Sequence, residues 1–125
     1  MNKPLAGTGR LNNKIEAKII DWIERNDLIN LFKTSSIFVF PSHEGAGMVV
    51  AEALSVGLPV ICLDNCGPGE FINSSCGIKV SYCSYKQTIK ELTLAMTDLY
   101  NTPELLLRMR VNARKHFELH FNWDV

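Results

Sequence analysis

The stretch from Ile37 to Val60, IFVFPSHEGAGMVVAEALSVGLPV, constrains this chain more than any other. Ile37-Phe38-Val39-Phe40 is an apolar run too short for a helix and suited to a strand buried on both faces. Pro41 and Ser42 end the run, and Gly45 and Gly47 permit a tight turn. A helical pattern begins at about Met48 and stops at Gly57, with Pro59 just beyond. Val60-Ile61-Cys62-Leu63 then reads as another strand. Strand, glycine loop, helix and strand make a βαβ crossover, the unit of a parallel sheet.

Two carboxylates lie inside this unit, Glu44 in the loop and Glu52 in the helix, with seven residues between them. Met48, Val49, Val50, Ala51, Ala53, Leu54 and Val56 make the helix apolar on nearly every side, which predicts burial. Glu52 is the exception. A buried carboxylate is costly unless something hydrogen-bonds it, so either the fold or a ligand supplies its partner.

At 125 residues the chain fits one domain with an adequate core. Thirteen basic and thirteen acidic side chains cancel, so no global field favours nucleic acid or an anionic membrane. The N-terminal MNKPLAGTGR lacks a signal-peptide apolar core, and no run approaches a membrane span. Cysteines 62, 66, 76 and 83 contain no C-x-x-C pair, and Cys62 lies in a predicted strand, which argues against zinc. Reduced, mostly buried thiols in a cytoplasmic protein are expected instead.

Upstream, Leu5-Ala6 reads as the end of a strand entering a G-x-G turn at Gly7 and Gly9. Position 12 is Asn, so the third glycine of a dinucleotide fingerprint is absent. This leaves a plain turn and a phosphate-facing one equally open. Leu11 to Lys18 has room for barely two helical turns, and Ile19-Ile20-Asp21-Trp22-Ile23 predicts a short strand. Asn26 or Asp27 is placed to cap a helix over Leu28 to Lys33.

Downstream of Leu63, Asn65, Gly67 and Gly69 suit a turn, and Pro68 predicts a short helix over Gly69 to Asn73. Such a loop is either structural or a place for an anionic ligand. Gly77-Ile78-Lys79-Val80 reads as a last strand. Ser84 to Tyr100 predicts an amphipathic helix with Ile89, Leu92, Met96 and Leu99 on one face. Thr102 and Pro103 open a final helix to about His120, whose C-terminal half gathers Arg108, Arg110, Arg114, Lys115, His116 and His120. A solvated basic face is the default reading there, with phosphate or membrane contact as the other. The expected architecture is α/β: about four or five parallel strands, with helices on both faces, in a Rossmann-like sheet.

The glycine loop before the central helix suits a nucleotide or nucleotide-sugar phosphate, through exposed backbone N–H groups and the helix dipole. Glu44 repels a phosphate but accepts hydrogen bonds from sugar hydroxyls, and Glu52, deeper in, suits both hydroxyls of a ribose. Spacing alone does not place these roles above the structural alternative, in which Glu44 caps the helix and Glu52 pairs with a buried backbone or basic group.

The stretch from Ile37 to Val80 resembles the donor-binding half of GT-B glycosyltransferases. The likeness is to the large retaining group that includes glycogen synthases and bacterial polysaccharide transferases. The matching features are the strand ending Phe40-Pro41-Ser42, the E-x7-E pair Glu44 and Glu52, and the run Glu52-Ala53-Leu54-Ser55-Val56-Gly57-Leu58-Pro59-Val60. Gly67-Pro68-Gly69-Glu70-Phe71-Ile72 and Gly77-Ile78-Lys79-Val80 complete the ordered set. Leu5 to Gly9, Trp22 to Phe32 and Phe121-Asn122-Trp123 resemble the flanks, so the likeness covers nearly the whole chain.

The resemblance implies transfer of a sugar, with retention, from a nucleoside diphosphate sugar to a hydroxyl acceptor. It implies a catalytic role for Glu44 at the donor sugar, and sugar and diphosphate contacts along Gly45, Ala46, Gly47 and Met48, with Gly7 and Gly9 nearby. Glu52 would hold the ribose, and the backbone near Ile23 would face the base. It implies no metal or other cofactor in this half and no nucleic-acid partner, and it leaves peripheral membrane contact open for a full enzyme. An N-terminal acceptor domain and a final crossover helix have no counterpart here. The basic pair that grips the diphosphate falls before Met1, Gly9 to Ile19 lacks most of a helix, and the loop from Ser42 to Glu44 is one residue short. The expectation is a donor-domain fragment with little or no transferase activity of its own. A non-catalytic remnant or interaction module and a UDP-sugar epimerase fragment are the alternatives; an NAD-binding domain fits less well.

Overall fold

The computed structural model describes residues 16–41, 47–64 and 72–121. The elements run α1 (Arg25–Thr34), β1 (Phe38–Phe40), α2 (Gly47–Ser55), β2 (Val60–Leu63), β3 (Gly77–Val80), α3 (Tyr85–Tyr100) and α4 (Pro103–His120). The strands form one parallel sheet in the order β1-β2-β3. Phe38 pairs with Val60, and Val60 with Gly77.

β2 is buried along its whole length. Its alternating side chains therefore serve two cores, one on each sheet face. Val60 and Cys62 join Phe32 of α1, Val50, Ala51, Ala53 and Leu54 of α2, and Ala113 of α4. Ile61 points the other way, into a cluster with Leu92, Ala95 and Leu99 of α3 and Met109 of α4. Helices thus cover both faces, as the apolar strands require, and α4 contributes to both cores.

The described sheet has three strands rather than four or five. Leu5-Ala6 lies outside the described residues. Ile19 to Ile23 is described and is not a strand; Ile19 is 53% exposed and Trp22 78%. The β-branched residues there lack a paired neighbour among the described residues, and strand preference expresses packing more than backbone taste. Of the short segment expected to be helical over Leu11 to Lys18, residues 16–18 are irregular and the rest is undescribed. α1 starts at Arg25 with Glu24 at the N-cap, earlier than a cap at Asn26 or Asp27 allows; Asp27 instead falls in the first turn, where the dipole favours it.

Most of the expected helix from Gly69 to Asn73 lies outside the described residues; Ile72 and Asn73 are not helical. Asn73 instead makes a side-chain turn, its Oδ1 accepting from Ser75 N at 2.9 Å and Ser75 Oγ at 2.6 Å. Ser84 caps α3 by accepting from Gln87 N at 3.2 Å. The buried face of α3 is Thr88, Leu92, Ala95 and Leu99, so the stripe is turned from the one expected, and Ile89 and Met96 are exposed. Small side chains at 88 and 95 let the helix sit close to the sheet, which hydrophobicity alone does not reveal. Thr102 does stand at the N-cap of α4, without a side-chain cap bond, and Pro103 opens the helix.

α2 ends in a Schellman motif. Leu58 N donates to Ala53 O at 3.0 Å and Gly57 N to Leu54 O at 2.9 Å, with Gly57 at φ +77°. A Cβ at Gly57 would also sit 3.3 Å from the Arg110 carbonyl oxygen. Gly57→Ala is therefore expected to cost about 1–2 kcal/mol from the left-handed backbone, read as a lower urea midpoint at unchanged slope.

Arg114 fastens α4 to the same end of α2. Its guanidinium donates to the Ser55 carbonyl, pairs with Glu118 at 2.9 Å, and lies 5.9 Å from the Phe117 ring centre. At this position the basic half of α4 is an anchor as well as a solvated face, since the Arg114 side chain is 55% exposed. Exposed Arg108 and Lys115 keep the solvated description.

Candidate functional site

In chain order the carboxyl end of β1 at Phe40 is followed by the N-terminus of α2 at Gly47. In a parallel sheet this edge is where ligands bind, because strand ends diverge there and helix N-termini present unsatisfied N–H groups. Gly7, Gly9, Glu44, Gly45 and Ala46 lie outside the described residues. Gly47 is the first residue of α2, and Met48 beside it is 60% exposed, so the first turn is open to solvent at this point.

Glu52 lies five positions beyond Gly47, on a helix whose Val50, Ala51, Ala53 and Leu54 are fully buried. It is the only buried acidic or basic residue among the described ones. Its Oε2 pairs with Nη1 of Arg25, whose side chain is 70% exposed against 11% for Glu52. The fold thus supplies the carboxylate with a cation.

Arg25 opens α1, and with Trp22, Ile23, Glu24 and Asn26 it lines an open groove of about 440 Å³. Two predicted site residues therefore meet through a third. Ile23 borders the groove, and Glu52 reaches it by way of Arg25. Arg25 escaped the sequence reading. Nothing in the sequence marked it: the helix expected over Leu28 to Lys33, capped at Asn26 or Asp27, left Arg25 outside, whereas the observed helix begins at Arg25 itself.

Among the described residues no group of three or more His, Cys, Asp or Glu side chains is arranged to hold a metal, and no helix is long and apolar enough to cross a membrane. Cys62, Cys76 and Cys83 are free; the first two are buried and the third exposed.

Burial pushes the Cys62 thiol up to about 11 from 9.0, with Lys79 opposing, and burial raises Cys76 as well. The unfolded thiols ionise first as pH rises. Their contribution is therefore whole below pH 9 and is lost for Cys62 as pH rises toward 11. The denaturation midpoint is expected to fall across that window. In native protein at neutral pH, a thiol reagent should modify Cys83 and spare Cys62 and Cys76.

A family model described as "Glycosyl transferases group 1" matches residues 8–116, most of the chain. The chain belongs to the group 1 glycosyl transferases. The match includes Ile23, Arg25, Glu44 and Glu52. An uncharacterized glycosyltransferase of Haemophilus influenzae is 30% identical over 125 aligned residues, covering 90% of this chain and 34% of that protein. The crystal structure of WaaG, a glycosyltransferase involved in lipopolysaccharide biosynthesis, superposes with a TM-score of 0.60 at 29% identity, covering 75% of this chain and 25% of WaaG. The C-terminal domain of a group 1 family protein, LpcC from Francisella tularensis, gives a TM-score of 0.64 at 23% identity over 82% of this chain and 52% of that one, which shows the shared fold. The chain spans about a third of the Haemophilus relative. Its α/β sheet is thus part of the GT-B architecture of group 1 glycosyl transferases.

Proposed function

We propose that this chain holds the nucleoside diphosphate sugar in a retaining glycosyltransferase. The observation that carries the reading is Glu52, a buried carboxylate whose one ion-pair partner among the described residues is an exposed arginine bordering an open groove. Burial without a buried partner suits a site that exchanges partners with a ligand.

In this reading the ribose hydroxyls donate to Glu52, and the base lies in the groove beside Ile23. N–H groups in the first turn of α2, at Gly47 and Met48, with Gly45, Ala46 and the Gly7-x-Gly9 turn, face the sugar and diphosphate. They stabilise the charge that develops on the diphosphate as it leaves. Glu44, catalytic in this reading, accepts hydrogen bonds from the donor sugar. The anomeric carbon exchanges its bond to the diphosphate for one to an acceptor hydroxyl oxygen, with the same configuration, and the hydroxyl proton leaves with the diphosphate. No metal or other resident cofactor is assigned to this half.

Relatives about three times as long support a second domain as the acceptor wall. The WaaG likeness supports a role in cell-surface polysaccharide or glycoconjugate synthesis, at the cytoplasmic side and with peripheral membrane contact through the full enzyme. Balanced charge supports no nucleic-acid partner.

Calorimetric titration of the chain with UDP, GDP and ADP, each against its 2′,3′-dideoxy counterpart, tests the reading. One ribose diphosphate is expected to bind at least tenfold more tightly than its dideoxy form. Equal affinities, or no binding by any of them, would contradict it.

A further inference from the structure

Arg25 stands in an unusual position for an ion-pair partner. It is the first residue of α1, where the helix dipole repels a cation. Its side chain is 70% exposed, and Glu52 is its single polar partner among the described residues. Glu52, by contrast, is fixed in a packed helix among fully buried neighbours. One member of the pair is held by packing and the other lies mostly in solvent.

We propose that Arg25 is an exchangeable counter-ion, which covers Glu52 in the empty site and moves to the phosphates of a bound nucleotide. The inference rests on the donor-binding reading above. A nucleoside whose two ribose hydroxyls take both oxygens of the Glu52 carboxylate displaces the cation from Oε2 with neutral donors, which leaves the guanidinium unpaired. A nucleoside diphosphate does the same but offers that guanidinium a new anion, and the planar fork of arginine matches phosphate oxygens two at a time. Glu52 lies five positions from Gly47, about 7.5 Å along the helix axis at 1.5 Å per residue, so the guanidinium has to travel only that far along α2 to draw level with its first turn. Arg25 thereby sets a preference for nucleotides over nucleosides, and its charge cancels that of Glu52 until a ligand arrives.

The test compares uridine with UDP, and guanosine with GDP, on the wild-type chain, Arg25→Gln and Arg25→Lys. In the pair that binds, Arg25→Gln is expected to lower the diphosphate-to-nucleoside affinity ratio about tenfold. The nucleoside gains affinity, because no cation is displaced, and the diphosphate loses it. Arg25→Lys should keep the ratio within about threefold of wild type, since the charge persists. Inorganic pyrophosphate gives a second readout that needs no ribose: Glu52→Gln frees the guanidinium and should bind pyrophosphate several-fold more tightly than wild type.

A ratio that is unchanged or larger in Arg25→Gln, or pyrophosphate affinity that does not rise in Glu52→Gln, would overturn the exchange. A wild-type chain that binds neither diphosphate would remove the donor reading and the exchange with it. Binding by wild type with an unaltered ratio removes the exchange alone.

Discussion

Gly77→Ala is expected to destabilise the chain by roughly 3–5 kcal/mol, the range of severe packing and backbone defects. Gly77 is the first residue of β3 and pairs with Val60 at the centre of the sheet. A Cβ there would lie 2.3 Å from the Val60 carbonyl oxygen and 2.7 Å from Ile72 Cδ1. The side-chain contact can be relieved by a rotamer change. The backbone contact cannot, because Val60 is held on its other side by Phe38. Relief requires β3 to move away from β2, at the expense of both ladder bonds and core packing. With a total stability of about 5–15 kcal/mol for an ordinary domain, such a loss leaves a substantial unfolded population. Circular dichroism melts would show it; a melting temperature within a few degrees of wild type would contradict the tight β2–β3 register described above.

The second large effect is on ligand affinity. Glu52→Gln is nearly isosteric and removes the charge while keeping an acceptor. Arg25, the cation it leaves behind, is mostly exposed and can be hydrated. The melting temperature is therefore expected to stay within a few degrees of wild type. Nucleoside diphosphate affinity is expected to fall about 10- to 100-fold, since hydrogen bonds to a charged acceptor are worth about 1.5–3 kcal/mol. The two measurements together separate a binding role from a supporting one. Unchanged affinity with a collapsed melt would mean that Glu52 serves the fold through Arg25 and does not meet the ligand.

Much of the architecture was legible because local and long-range signals agreed. Val60 to Leu63 and Gly77 to Val80 are strands as read, and Gly57 terminates the helix that precedes the first of them, with the positive φ that a glycine there accommodates. Where a local pattern lacked a partner, the reading failed. Ile19 to Ile23 has strand composition but no neighbour strand among the described residues. The buried stripe of α3 turned because Thr88 and Ala95 fit closely where larger side chains would not.

The site divided along the same line. The burial cost of Glu52 was readable from its apolar helix, and the family match places the chain among glycosyl transferases. The identity of the cation was not readable, because Arg25 is distant in sequence and joins Glu52 only when α1 packs beside α2. Arg114 was hidden for the same reason: nothing in its own helix announces the Ser55 carbonyl it meets.

The central claim is that this chain by itself carries a nucleotide-sugar site around Glu52 and the groove at Ile23. The most direct measurement is a two-dimensional amide spectrum of the isotopically labelled chain, titrated to millimolar UDP, GDP and their sugar conjugates. The account predicts saturable shifts at Ile23, Arg25, Met48 and Glu52 for one base, while α3 amides such as Leu94 and Asp98 on the far helix stay still. No shift at millimolar ligand, or shifts spread evenly over the surface, would contradict it.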